Sequence, residues 1–185
     1  RLGGNSLLEG CVFGELAGVS AKSYSKENEY SPIDYNHVVK DIEMIDYIFS
    51  SDTTKNFNAI RVSLGTTLFE KVGIIKNEES ILLAFDYVKY LRRISYTLHC
   101  INKEKNNNVE LIGILELRNA LEISEAIILS AQKRKESRGA HFRDDYPELS
   151  KEYGKSIVVK ELQKGFFRIM FKEHKIIKKI RDLFI

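Results

Sequence analysis

At 185 residues, 43% apolar and 30% charged, the chain has the usage of one medium globular domain, or of one domain and a piece of another. Two prolines and no low-complexity tract exclude a disordered linker protein. Two cysteines, Cys11 and Cys100, are too few for a disulfide framework or a four-thiolate metal site, so the compartment reads as reducing and cytoplasmic.

A net charge of +3 is too small to call for nucleic acid. It is unevenly spread, however. Lys155 to Ile185 holds nine Lys/Arg against three acids, while residues 1–154 carry −3. Such a basic tail reads as a solvated face or a protein contact. No apolar run reaches the ~18 residues of a spanning helix, and no signal peptide is visible. The chain opens Arg1-Leu2-Gly3-Gly4-Asn5-Ser6 without Met and enters a structured motif at once, which reads as a piece of a longer protein.

In chain order, Ser6 to about Lys22 is a predicted helix, with Ser6 and Glu9 at capping-box spacing. Gly10, Gly14 and Gly18 recur every four residues, with Ala17 and Ala21 nearby. Glycine inside a helix costs about 1 kcal/mol against alanine, so three on one face imply close approach to a neighbouring backbone. Residues 23–36, including Pro32, read as a linker.

Helical patterns follow at about His37–Phe49, Asn56–Lys71 and Glu78–Leu98. Val62, Leu64, Leu68, Phe69 and Val72 form a predicted core face on the second, and Ile81, Leu82, Phe85, Val88 and Leu91 on the third. Gly73 is a predicted C-cap. Beyond the polar turn Lys103–Asn108, the longest helix spans about Val109–Lys135. Its Leu115, Ala120, Leu121, Ile123, Ala126, Ile127, Ile128 and Ala131 make it apolar over most of its girth, as at the centre of a bundle.

After Gly139 the period changes. Ile157–Leu162 and Phe166–Lys172 flank Gln163-Lys164-Gly165 as a hairpin, with Phe167, Ile169 and Phe171 inward. Lys175–Ile185 closes as a short amphipathic helix. The fold class is therefore mainly α: a helical bundle with a small C-terminal β-hairpin. His37, His99 and His174 are scattered and give no metal-ligand spacing, and Cys11 reads as packed.

The N-terminus of the first helix is the candidate site. Free N–H groups near Leu7 and Leu8, backed by the helix dipole, seat negative charge. Gly3-Gly4 lets a ligand approach closely, and Arg1 adds a fixed cation.

Arg1-Leu2-Gly3-Gly4-Asn5-Ser6-Leu7-Leu8-Glu9, continuing to Val12-Phe13-Gly14, resembles the motif that closes the FAD domain in succinate dehydrogenase and fumarate reductase flavoprotein subunits. Arg134-Lys135-Glu136-Ser137-Arg138-Gly139-Ala140-His141, followed by Arg143-Asp144-Asp145-Tyr146-Pro147, is similar to that family's motif after the long helix of its C-terminal domain. Leu64-Gly65, Val72-Gly73 and Glu78-Glu79-Ser80 resemble the helix pair between them. The resemblance covers residues 1–25 and about 56–147.

It implies that residues 1–25 end an FAD-binding domain, that 26–55 are a linker or insertion, and that 56–185 form the helical C-terminal domain. It further implies that Arg1 binds a carboxylate of a dicarboxylate substrate and that Ser6 and Leu7 meet the flavin near N1 and the C2 carbonyl. The dinucleotide-binding glycines, the substrate histidines and the proton-donating arginine are expected upstream of Arg1. Arg61, Arg138 and Arg143 take no such role.

Glu136, Arg138 and His141 read as structural, locking the helical domain against the flavin domain. The parent would carry FAD, interconvert succinate and fumarate, and pair with an iron-sulfur subunit at the cytoplasmic face of the membrane. The isolated chain would bind no flavin, be inactive and self-associate. After Pro147 the acidic residues and tryptophan of the membrane-bound enzymes are missing. That leaves L-aspartate oxidase as the neighbouring alternative, with a non-catalytic helical interaction domain as the reading of another class.

Overall fold

The computed structural model describes residues 5–51, 56–163 and 166–172. They fall into two compact units that divide between Met44 and Ile45. No described helix is long and apolar enough to cross a membrane.

The first unit contains α1 (Asn5–Glu27) and the start of α2 (Tyr35–Phe49). Helix α1 is longer than the sequence pattern predicts. Its first helical residue is Asn5, so Ser6 lies within the first turn instead of capping it. Past Lys22, Ser25 Oγ donates to Lys22 O at 3.0 Å, and Asn28 closes the last turn through its backbone N–H and side-chain amide on Tyr24 O. No residue of α1 is buried.

The second unit holds the core. Helix α3 (Phe57–Val72) starts on Asn56, whose side chain accepts from the N–H groups of Asn58 and Ala59. It is followed by the two-residue strand β1 (Ile75–Lys76) and by α4 (Glu78–Ser95). A reciprocal Asn77/Ser80 capping box and two acids in the first turn fix where α4 begins. Helix α5 (Val109–Lys133) starts on Asn108. It packs against α3, α4 and the terminal hairpin, and so takes the central position expected of it.

Helix α5 is central, but its burial is narrower than an apolar pattern over most of its girth suggests. Ile114, Leu117, Leu121, Ile128 and Ala131 are buried, whereas Ile123 and Ile127 are 60% and 51% exposed. Two helices and a hairpin cover one side of a cylinder. The same holds for α3, where Ile60 and Leu64 are buried but Val62 and Phe69 point to solvent. On α4, Leu82 is exposed and the core positions are Ile81, Ala84, Val88 and Leu91.

Gly113 marks a close approach of α5 to the first residue of α3. A Cβ placed there would lie 2.4 Å from the Phe57 ring. Helix α2 reaches this unit through Ile48, fully buried, whose carbonyl accepts from Cys100 N–H at 2.9 Å.

Strand β2 (Phe142–Arg143) pairs in parallel with β1. Strands β3 (Ser156–Gln163) and β4 (Phe166–Lys172) form the predicted antiparallel hairpin. Phe167, Ile169 and Phe171 are its half-buried face, and the Phe171 ring meets Tyr153 edge-on at 5.2 Å. The predicted helix Lys175–Ile185 lies outside the described residues.

Candidate functional site

Two places carry the functional reading. The first is the opening turn of α1. Ser6 and Leu7 stand next to each other on it, and Leu7 is 83% exposed. The turn contains no acid, so no carboxylate of its own competes for its N–H groups and dipole. Arg1 lies outside the described residues.

The second is the loop that leaves α5, where three arginines and two carboxylates are paired by geometry. Glu136 is fully buried. It accepts from Arg134 Nη1 at 2.7 Å, from Arg138 Nε and Nη2 at 2.8 and 3.1 Å, and from Ser150 N–H at 2.9 Å. Burial alone would raise its pKa, but the two guanidiniums and the amide outweigh it and hold the carboxyl at about 2.

Gly139, at φ +58°, turns the chain so that Arg138 and His141 exchange backbone hydrogen bonds. His141 does not join Glu136. Its Nε2 pairs with Arg134 O at 3.2 Å.

Arg143, also fully buried, ties three elements together. Its Nε and Nη2 donate to Asp145 at 2.7 and 2.5 Å, Nη2 also reaches Glu78 on α4 at 2.9 Å, and Nη1 caps the Ala131 and Gln132 carbonyls of α5. Asp145 returns to α4 by accepting from Glu78 N–H at 2.9 Å. The bonds to Asp145, and then Glu78, raise the Arg143 pKa against the opposing effect of burial. The Tyr146 ring lies 5.0 Å from its guanidinium. The arrangement is a clamp: it binds the end of one helix to the start of another and spends its charges internally.

Sequence reasoning missed two features. Arg92 and Glu125 form a buried ion pair at 2.7 Å between α4 and α5. Burial pushes the Glu125 carboxyl up, against the pull of Arg92. The available signal was position: Arg92 follows Val88, and Glu125 follows Leu121, at the four-residue spacing of the core stripe. The other is Lys76, 6% exposed in β1, where a two-residue strand offers no period to read.

These elements make a mainly helical domain closed by a hairpin, with its long central helix clamped by this loop. The family profile described as "Fumarate reductase flavoprotein C-term" matches residues 61–179, and the chain belongs to that family.

An uncharacterised FAD-dependent oxidoreductase of Methanocaldococcus jannaschii is 31% identical, over 91% of this chain and 30% of its own length. The succinate dehydrogenase flavoprotein subunit of Bacillus subtilis is 31% identical, over 80% of this chain and 26% of its own length. A solved quinol fumarate reductase of E. coli superposes with a TM-score of 0.84 at 27% identity, over 95% of this chain and 31% of that one. The chain thus spans about a quarter to a third of the proteins it matches.

Proposed function

We propose that the chain is the C-terminal part of an FAD-dependent oxidoreductase that interconverts succinate and fumarate by hydride transfer to the flavin. The observation that carries this reading is the family match over residues 61–179, which includes the whole clamp. Residues 1–25 would end the FAD-binding domain, 26–55 a linker or insertion, and 56–185 the helical domain. An iron-sulfur subunit is the partner this reading supplies, with attachment at the cytoplasmic face of the membrane through further subunits.

The described part of the site fits one edge of a flavin: a helix N-terminus with exposed Ser6 and Leu7 and no acid in its first turn. When bound, FAD supplies the hydride-accepting ring, and reduction places negative charge at its N1 and C2-carbonyl edge. Ser6 and the N–H groups around Leu7 would hold that charge without reorganising, because they belong to a helix turn that is already formed. Arg1 anchors a substrate carboxylate by charge-assisted, two-pronged hydrogen bonds. The helical domain contributes rigidity. One helix end is a small part of a flavin's contacts, so the isolated chain would bind no FAD and turn over nothing.

The test is an absorbance spectrum of the full-length parent with succinate, fumarate or aspartate. Bleaching by succinate and recovery with fumarate support the reading, whereas bleaching by aspartate alone assigns the parent to L-aspartate oxidase. In the same protein, Arg1→Ala should cut kcat/KM by at least about 100-fold, the scale of a lost dry arginine–carboxylate pair, while flavin content stays unchanged. Unchanged kcat/KM would remove Arg1 from the substrate site.

A further inference from the structure

The clamp leaves one charge over. Arg134 and Arg138 share Glu136, and Arg143 pairs with both Asp145 and Glu78, so three guanidiniums meet three carboxylates. Arg92, buried between α4 and α5, pairs with Glu125, and the half-buried Arg118 meets the Ser95 carbonyl and the Tyr96 ring. Lys76 is only 6% exposed, and its Nζ meets two backbone carbonyls, Phe142 O at 3.3 Å and Ile74 O at 3.4 Å. No carboxylate reaches it among the described residues. Burial, and then Arg143, push its pKa down, the signature of a desolvated ammonium beside another cation.

Lys76 lines a cleft of about 340 Å³ where the end of α3, the last turns of α5 and the Gly139 turn meet, together with Gly73, Ser130, Arg134 and His141. His141 is half-buried there. Because its Nε2 faces the Arg134 carbonyl, that nitrogen carries the hydrogen, and Nδ1 is the atom left to take up a proton. The charged neighbours that act on His141 are Lys76, Arg134 and Arg143, all cations. The open cleft mixes Val72, Ile127 and Ala131 with a buried ammonium that no carboxylate meets and a proton-accepting imidazole. Its wall thus carries cations and no negative charge among its lining residues.

We propose that this cleft binds an oxyanion of carboxylate or phosphate type, held by Lys76 Nζ and by His141 once protonated. The anion is either free in solution or carried as a carboxylate on another chain. The inference does not rest on the parent's activity.

The experiment is an amide and imidazole chemical-shift titration of the whole chain at constant ionic strength, with inorganic phosphate in one arm and N-acetylglutamate amide in the other. Saturable shifts are expected at Gly73, Lys76, Ala140 and His141. They should weaken at least about tenfold in Lys76→Met, survive in Lys76→Arg, and weaken severalfold in His141→Gln, a loss of one charged partner. The His141 variant decides the matter if Lys76→Met does not fold. Saturation by phosphate identifies a free oxyanion, and saturation by the glutamate probe alone identifies a carboxylate from another chain. Shifts that rise linearly and spread over exposed lysines such as Lys89 and Lys135, or that are unchanged in Lys76→Met or His141→Gln, would overturn the proposal.

Discussion

Glu136 shows how much a single carboxylate can organise. With no exposure and four hydrogen bonds from three donors' residues, it cannot lose its charge without leaving two guanidiniums uncompensated. Glu136→Gln is therefore expected to cost roughly 3 kcal/mol at neutral pH, the scale of breaking a buried pair from one side. The sign with pH follows from the folded carboxyl lying at about 2, below its ordinary 4.5. Its contribution is complete above about 4.5 and is lost as pH falls toward 2. Urea unfolding of both proteins at neutral pH and at about pH 3 should show the difference shrinking. An equal difference at both would contradict the assignment. Glu136, Arg138 and His141 could be picked out of the sequence as a cluster, but their division could not. A four-residue turn sends His141 to a carbonyl and leaves the carboxylate to the arginines, and only the Gly139 geometry decides that.

Among the elements, the five described helices and the hairpin were legible because each rests on a local signal: a cap, a period or a turn. The two-residue parallel pairing of β1 with β2 was not, since it joins Ile75 to Phe142 and Lys76 to Arg143 and no local pattern marks so short a strand. Core faces were only half legible. Val62, Phe69, Ile123 and Ile127 have the right chemistry, but nothing in the described residues covers them.

Glycines separate the two kinds of information in an experiment. Gly73 ends α3 at φ −69°, ψ −133°, and an added Cβ would sit 2.2 Å from the Phe69 carbonyl oxygen, so the backbone itself must shift. Gly65, mid-helix, would meet nothing within 4 Å. Gly73→Ala should destabilise by about 1–3 kcal/mol, whereas Gly65→Ala should stabilise by about 1 kcal/mol. Thermal unfolding distinguishes them, and a neutral Gly73→Ala would show that the close approach is not needed.

At the scale of the whole molecule, α1 is a 23-residue helix with no buried side chain. Leu7, Leu8, Phe13 and Leu16 are each more than half exposed, and a Cβ at Gly10, Gly14 or Gly18 would touch nothing. An apolar helix of this kind seeks cover. In the isolated chain, a second copy meeting it across the small residues is expected to provide it. Sedimentation should show a mass that rises with concentration, and Phe13→Glu should abolish the rise. A wild-type chain that stays monomeric at every concentration would count against it.

The long-range clamp also bears on how the second unit would respond to being cut. Lys105 stands on the exposed α4–α5 connection, just before Asn107 at φ +52°. The ties that join the chain before this connection to the chain after it (the Arg92–Glu125 pair, the β1–β2 ladder and the Arg143–Glu78–Asp145 bonds) do not depend on its peptide bonds. Trypsin cleavage after Lys105 should yield two pieces that elute together, keep the helical signal and separate only in denaturant. The two halves, expressed apart, should find each other and restore the fold, so that this unit could serve as a split reporter of proximity.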